Sequence, residues 1–348
     1  MSNIDKIKDY LKENNLQLDD KYLKFLEYIG GDDDALKLKD SDEYSHLFPE
    51  YLPNWSESWY FNFIDEQAGV DWVSRISYNP FDMKSNVLSV LFIDNNPQVY
   101  VNRLKIDEMP EDRWDLDKKV TYELVKPHSE WNLKFEDRKF ELDLNWKARF
   151  ESFSYLEGID ILEYLEDYID LIGKASQQHY EQGGIVKGTL KLKKKNQERK
   201  INCLGHRDHS WGIREWQAVD KWNWISAQFE DKTINIAKVI IGDNILVSGF
   251  ISTKDANIRI KDVEIKTEII EYEDKFGSKN KRPEKSRFEI TDIDDKKYII
   301  KSRRRTSIDL PVPIPSKIKT VISEQVHNFS LNGSDYEGTG ISEYLYKY

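Results

Sequence analysis

Between Gly205 and Trp224 the sequence reads GHRDHSWGIREWQAVDKWNW. Two of the six histidines, four of the ten tryptophans, and Arg207, Asp208, Arg214, Glu215 and Asp220 fall within these 20 residues. Buried charges and imidazoles cost several kcal/mol unless paired, so a fold that keeps them among indoles has a chemical or a structural use for them. The chemical use is an acid in an apolar hollow. Beside Trp211, Asp208 or a protonated His209 would lose hydration, and desolvation lifts a carboxyl pKa enough to keep a donatable proton near neutral pH. Such an acid protonates an alkene or polarises a carbonyl. The structural use is a polar knot, in which Arg207 pairs with Asp208, the histidines bond to backbone carbonyls and Gly212 relieves a strained turn. A metal site on His206, Asp208 and His209 is a third use. Their spacing matches no helical two-histidine pattern and Arg207 opposes a cation, so no metal ligand is assigned.

Other motifs carry less. The letters His206-Arg207-Asp208 match the start of a kinase catalytic loop, but the asparagine required five residues after the aspartate is Ile213, and no glycine-rich phosphate loop precedes it. GTGISE near the C-terminus opens no helix of a βαβ unit and is not a dinucleotide motif. Cys203 has no base nearby in sequence and reads as a small core residue. A second polar cluster, His179-Tyr180-Glu181-Gln182, stands where two halves of the chain meet, a common place for ligands; its structural alternative is a linker helix end whose polar groups cap backbone. His46, His128 and His327 show no polar companions and read as ordinary.

These groups need elements to hold them. Residues 3–29 carry apolar positions Ile4, Ile7 and Leu11, then Tyr22, Phe25, Leu26 and Ile29, which predicts two short amphipathic helices either side of Asn14 and Asn15, capping an edge. From Trp55 the period changes to two, through WYFNFI, VDWVSRISY, NVLSVLFI, PQVYVNRLKI and VTYELV, and WNLKFEDRKFELDLNW reads as two strands around Glu136 to Arg138. Helical spacing returns between Leu156 and Gln178 and ends near Gly183-Gly184, where the domain junction is expected. Strands then resume to the C-terminus. Gly242 to Asn244 and Asp292 to Lys297 are hairpin turns, and Asp274 to Lys285 reads as a long solvated hairpin loop. LPVPIPSK at 310–317 reads as an extended connection, and Lys301 to Arg305 as a solvated strand end. The expected division is a helical segment 1–30, a first β domain 31–155, a helical linker 156–184 and a second β domain 185–348, an all-β fold with a few helices.

Composition narrows the partners. With 348 residues, 52 Lys and Arg against 63 Asp and Glu, the formal charge is −11, so a polyanion such as nucleic acid has no electrostatic reason to bind. One cysteine excludes an intrachain disulfide and fits a reducing compartment. The opening MSNIDKIKDY is charged where a signal peptide needs an apolar run, and no stretch approaches 18 apolar residues, so a soluble cytoplasmic location is expected. Ten Trp, 19 Tyr and 15 Phe make up 13% of the chain. Rings fill thick cores and also line clefts for apolar ligands.

Gly205-His206-Arg207-Asp208-His209-Ser210-Trp211-Gly212, preceded by His179-Tyr180-Glu181-Gln182, resembles the lipocalin-like superfamily of carotenoid 1,2-hydratase (hydroxyneurosporene synthase) and the AttH-like proteins. In that family the corresponding run is approximately His-Asp-His-Asn-Trp-Gly; Arg207 and Ser210 depart from it. The match is best from about 179 to 230, with a weaker one at GTGISEYLY. The resemblance implies two consecutive calycin-type antiparallel β-barrels or half-barrels joined by the helical linker, with a cavity for a long apolar, often isoprenoid, ligand. It also implies an acid and a water-positioning group at His209 and Trp211, with Asp208 beside them.

Two functions are expected from these readings. One is cofactor-free, acid-type hydration or cyclisation of a C=C bond, with Asp208, His209 and Trp211 catalytic. Around them His206, Arg207, Arg214, His179, Tyr180 and Glu181 would line the ligand site. Trp211, Trp216, Trp222 and Trp224 would stabilise a carbocation through their ring faces, each by up to ~2 kcal/mol. The other is a noncatalytic carrier holding a lipid or similar hydrophobic molecule in the same aromatic cavity.

Overall fold

The computed structural model describes residues 3–30, 37–46, 52, 54–156, 177–215, 217–273, 279–312 and 320–347. The two amphipathic patterns fold as α1 (Asn3–Glu13) and α2 (Asp20–Gly30), with Asn15 in the left-handed region between them. Their apolar sides do not cap an edge. Ile7, Leu11, Phe25 and Leu26 pack on Trp55, Tyr180, Trp211 and Ile213, closing one end of the first sheet. No described helix is long and apolar enough to cross a membrane.

The first sheet takes β1 (Trp55–Asp65), β2 (Val70–Asn79), β3 (Lys84–Ile93), β4 (Asn96–Lys105), β5 (Arg113–Trp114), β6 (Val120–Lys126), β7 (Glu130–Glu136), β8 (Phe140–Ala148), β9 (Phe153–Ser154), β10 (Gln177–Leu192) and β11 (Gln197–Ile213). Its order is β4-β3-β2-β1-β11-β10-β8-β7-β6-β5, with β9 beside β10, and it curls into a half-barrel. The rest closes into an eight-stranded barrel: β12 (Lys221–Gln228), β13 (Thr233–Ile241), β14 (Asn244–Ser252), β15 (Asn257–Glu273), β16 (Lys279–Asp292), β17 (Lys297–Pro311), β18 (Thr320–Leu331) and β19 (Gly338–Lys347). Among the described residues the fold is thus all-β with two α-helices, a lipocalin-like half-barrel followed by a lipocalin-like barrel.

The aromatic excess has a structural origin. Trp55, Trp59, Trp72, Trp114, Trp131, Trp146 and Trp211 are all at most 1% exposed, and five of them fill the curl of the half-barrel with Phe61, Phe63 and Phe135. Cys203 packs against this core. Ile225, Ile234, Ile236, Val263, Phe288 and Ile300 fill the barrel interior. Both curls are packed cores, so space for a ligand is to be sought between them. There Tyr60, Val73 and Val90 of the first sheet meet Val326 and Ile341 on the barrel's outer face.

Several boundaries differ from those expected. The change of sheet falls between Ile213 and Lys221, not at 184/185, because β10 and β11 pair with β8 and β1 of the first half. The helical spacing expected over Leu156–Gln178 lies almost wholly in 157–176, outside the described residues, and β10 begins at Gln177. Gly183 and Gly184, expected to end a helix, sit inside β10. A Cβ would strike the Thr233 hydroxyl at the first and the Trp146 indole at the second, so these glycines serve close approach rather than termination. The expected loop at 274–285 is shorter, since β15 and β16 stay paired out to Glu273 and Lys279. Lys301 to Arg305 lie inside β17, where Arg304 pairs with Glu284 and Arg305 with Glu66 and Asp71.

Candidate functional site

The whole run Gly205 to Ile213 is extended strand, in register with β1 (Trp59 opposite His209, Tyr60 opposite Asp208) and β10 (Tyr180 opposite His209, Glu181 opposite Asp208). Successive strand residues point to opposite faces. Arg207, His209 and Trp211 therefore share the inner face of the half-barrel with Tyr180 and Gln182, while His206, Asp208 and Ser210 share the outer face with His179 and Glu181. The expected pairing of Asp208 with His209 and Trp211 does not occur, nor does an Arg207–Asp208 pair. For the same reason His206, Asp208 and His209 cannot hold one metal ion.

On the inner face the charged groups are tied together, although the indole N–H groups of Trp114, Trp131 and Trp146 are buried without a hydrogen-bond partner. Arg207, 1% exposed, donates from Nη1 to Glu43 Oε2 (2.9 Å) and from Nη2 to Glu43 Oε1 (2.6 Å), and reaches Gln182 Oε1 from Nε (3.0 Å) and Nη2 (2.8 Å). The Tyr180 hydroxyl donates to Glu43 Oε2 (2.8 Å) and lies 3.3 Å from His209 Nδ1. His209 Nε2 meets Glu57 Oε1 at 2.9 Å, and His46 Nδ1 meets the same oxygen at 2.7 Å. Trp211 stacks on His46, their ring centroids 3.8 Å apart. Burial lowers the His209 pKa, and Glu57 does not fully restore it, so the ring is neutral. This is the polar knot, and His209 is not the proton donor expected of it. Contrary to expectation, His46 is part of it, and His128 is too: its backbone N–H donates to Glu43 Oε1 at 2.5 Å.

The knot gives stability a pH window. Burial alone would raise Glu57, but the His46 charge and the hydrogen bonds from both imidazoles take it down to about 2. Burial alone would lower His46, but the Glu57 charge and its bonds to Asp42 and Glu57 raise it to about 9. Glu57 then stabilises the fold above its ordinary 4.5 and loses that contribution as pH falls toward 2, whereas His46 stabilises below its ordinary 6.5 and loses its contribution as pH rises toward 9. We expect denaturant-derived stability to decline from pH 6.5 to 9 by up to about 1.4 kcal/mol per pH unit. Glu57→Gln should flatten that limb relative to wild type; an unchanged alkaline slope would contradict it.

The outer face is different. Glu181 is a saturated carboxylate: it accepts from the Tyr155 hydroxyl (3.0 Å), Trp224 Nε1 (2.8 Å) and Asn235 Nδ2 (2.6 Å), and lies 2.5 Å from His206 Nε2 and 3.1 Å from His179 Nε2. Gln228 Nε2 lies 3.2 Å from His206 Nδ1. Asn235, Trp224 and Gln228 belong to the barrel, so Glu181 and His206 fasten sheet to barrel. Tyr155 stacks on His179 with centroids 4.6 Å apart.

Asp208 stands apart from this fastening. Its carboxyl makes no hydrogen bond among the described residues, and its nearest charged partner, His179 Nε2, is 3.9 Å away. Burial raises its pKa to about 6, with help from the Glu181 charge and against His179 and Arg214. Asp208 and His179 keep 17% and 22% of their side-chain surface although sheet and barrel flank them. Arg75, Arg214, Trp222, Trp224 and Glu343 around them are half-buried too, so solvent reaches this group of side chains where sheet and barrel meet. This cleft, not the inner face, brings together Asp208, Arg214, Trp222 and Trp224 of the expected site; Trp216 lies outside the described residues. Sequence reading missed Glu324 and Glu343, cross-strand neighbours on the barrel's outer face, and Arg75, which reaches the same cleft from β2. Open pockets of about 520 Å³ at His128, Arg149 and Gln182 and about 690 Å³ at Asp94, Arg199 and Lys200 lie elsewhere.

Among the described residues, two sets of side chains bring possible metal-ligating atoms within 4.8 Å of one another, His46–Glu57–His209 and His179–Glu181–Asp208. In the first, His46 holds its proton at neutral pH and offers a cation no lone pair. In the second, Glu181 already accepts from Tyr155, Trp224 and Asn235.

The fold is shared with several solved structures. An AttH-like protein from Nitrosomonas europaea superposes with a TM-score of 0.67 at 11% identity, covering 88% of this chain and 94% of that one. CghA with Sch210972 gives 0.58 at 13% identity, covering 90% and 96%, and kievitone hydratase from Nectria haematococca gives 0.57 at 12% identity, covering 88% and 94%. No curated protein sequence matches the chain. A family model described as Domain of unknown function (DUF7064) matches residues 39–347. The chain therefore belongs to that family, and its architecture is that of the lipocalin-like AttH and hydratase proteins.

Proposed function

We propose that the chain binds an apolar small molecule in the cleft between half-barrel and barrel and catalyses hydration or cyclisation of a C=C bond, with Asp208 as the acid. The observation that carries this reading is the Asp208 carboxyl: among the described residues it has no hydrogen-bond partner, it keeps 17% of its side-chain surface, and burial holds its proton to about pH 6. The fold shared with kievitone hydratase and CghA favours it. In the step, the Asp208 proton forms a C–H bond with one alkene carbon and leaves a cation on the other, which the ring faces of Trp222 and Trp224 stabilise. Water then adds, forming a C–O bond and returning its proton to the Asp208 carboxylate. Alternatively an internal alkene closes a C–C bond, and the proton lost from the ring carbon returns to Asp208. Either sequence restores the acid and consumes no cofactor. Isoprenoid chains supply both the apolar length and the branched alkenes that give stable cations.

The test is incubation of wild type and Asp208→Asn with C15 to C40 polyenes in deuterated water. Deuterium in a product from wild type but not from the variant, with ligand binding retained, supports the reading. Binding to both proteins with no product from any polyene favours a carrier.

A further inference from the structure

Arg75 is the third member of a cross-strand row on the outer face of the first sheet: Asp208 on β11 is opposite Tyr60 on β1, and Tyr60 is opposite Arg75 on β2. Among the described residues no hydrogen bond or ion pair reaches its guanidinium. Three other arginines of the interior are held by the chain itself. Arg207 has a bidentate carboxylate and an amide, Arg305 has Asp71 and Glu66, Arg214 has Gln177 and Ser210. A guanidinium offers five N–H donors, and those of the half-buried Arg75 are left to solvent or to a ligand between the layers.

The carboxyls around Arg75 are Asp208, whose charge acts on it most strongly, then Glu343 and Glu324, and none of them hydrogen-bonds to it. Glu324 and Glu343 lie directly opposite each other on β18 and β19, on the same side as Val326 and Ile341, which contact the first sheet. A hydrogen bond joins the two carboxyls, so they share a proton and carry at most one charge between them. Glu324 is 3% exposed, and its Oε2 is buried with no hydrogen-bond partner. The cleft thus holds a guanidinium with no hydrogen-bond acceptor among the described residues and, on the facing layer, an acid pair that carries at most one charge.

We infer that Arg75 makes this cleft select an apolar molecule bearing an anionic oxygen head group, a carboxylate or the anion of an acidic enol, rather than a plain hydrocarbon. The inference rests on the cleft proposed above as the ligand site. A planar oxyanion gives the guanidinium a bidentate acceptor, and the proton shared by Glu324 and Glu343 keeps that pair from opposing the head group with two negative charges. The apolar body lies on the indoles, and anchoring the head fixes which alkene reaches Asp208.

The probes are farnesoic acid and its methyl ester, equal in apolar body and different in charge, with binding read by tryptophan fluorescence. Wild type should bind the acid at least about tenfold more tightly than the ester. Arg75→Gln should remove that preference and leave ester binding unchanged, while Asp208→Asn keeps it. Equal affinities in wild type, or a preference that survives Arg75→Gln, overturns the inference. A second readout concerns folding: because Arg75 has no partner to abandon, Arg75→Met should melt at or above the wild-type temperature, and a large drop overturns the inference by revealing a structural partner. Turnover unaffected by Asp208→Asn would instead sink the acid assignment and leave the Arg75 preference standing.

Discussion

Arg207→Ala lowers the unfolding free energy by about 3–5 kcal/mol, the range for breaking a buried ion pair by removing one partner. Glu43 is fully buried, and its charge is held below the ordinary carboxylate range first by the Arg207 charge and then by its hydrogen bonds. Without the guanidinium it keeps the backbone N–H of His128 and the Tyr180 hydroxyl, which cannot neutralise it. Packing is lost as well, since the guanidinium lies 5.2 Å from the Trp146 ring and 5.1 Å from the Tyr180 ring. Glu43 ends a short 3₁₀ turn, Asp40–Glu43, joined to the sheet by this pair. The variant should therefore also expose residues 40–46 to hydrogen exchange. Glu43→Gln combined with Arg207→Ala should cost clearly less than the sum of the single changes, because neither charge is then left alone. Urea unfolding of the four proteins measures this. A cost under 1 kcal/mol for Arg207→Ala would mean that the pair is dispensable and the inner face is free for other work.

How far the sequence carries to this picture depends on the range of the contacts. The helices at 3–30 and most strands follow from apolar spacing within ten residues, and they are where that spacing puts them. The run His206-Arg207-Asp208-His209 was legible as an unusual cluster, but its strand alternation sorts it into two sites with different tasks. The flanking sequence carried that signal: in GHRDHSWGI the large apolar Trp211 and Ile213 share parity with Arg207 and His209. Glu57 was similarly readable, since in WSESWYFNF it shares parity with Trp55, Trp59 and Phe61, an acid where an apolar residue is expected. Glu43, 164 residues from Arg207, had no such signal. Neither had Glu324 and Glu343, which meet Asp208 only when the barrel docks on the sheet, nor Arg75, which the pairing of β1 with β2 and β11 brings into its row. The glycines at 183–184 misled because glycine ends helices and also admits close approach, and only the positions of Thr233 and Trp146 decide between the two.

Asp208→Asn is expected to lower kcat/KM by about 10²–10⁴, the usual contribution of a positioned general acid. Asparagine keeps the shape and polarity of the side chain but has no proton to give, so ligand affinity should change little and the loss should fall on kcat. The reactive form is the neutral carboxyl, so kcat/KM for wild type should be level below about pH 6 and fall tenfold per unit above it. The neighbours set where this limb lies. The imidazole of His179, raised above its ordinary value by Glu181 and Asp208 against its burial, pulls the Asp208 pKa down. His179→Gln removes that charge and should move the limb to higher pH, a shift that a merely structural histidine would not produce. Glu181 acts oppositely, but as the anchor for Trp224 and Asn235 it cannot be changed without loosening the barrel. If Asp208→Asn retains turnover within about threefold, the proton must come from the other acid in the cleft, the Glu324–Glu343 pair. Glu343→Gln would then abolish the reaction, and the acid would lie on the barrel rather than on the sheet.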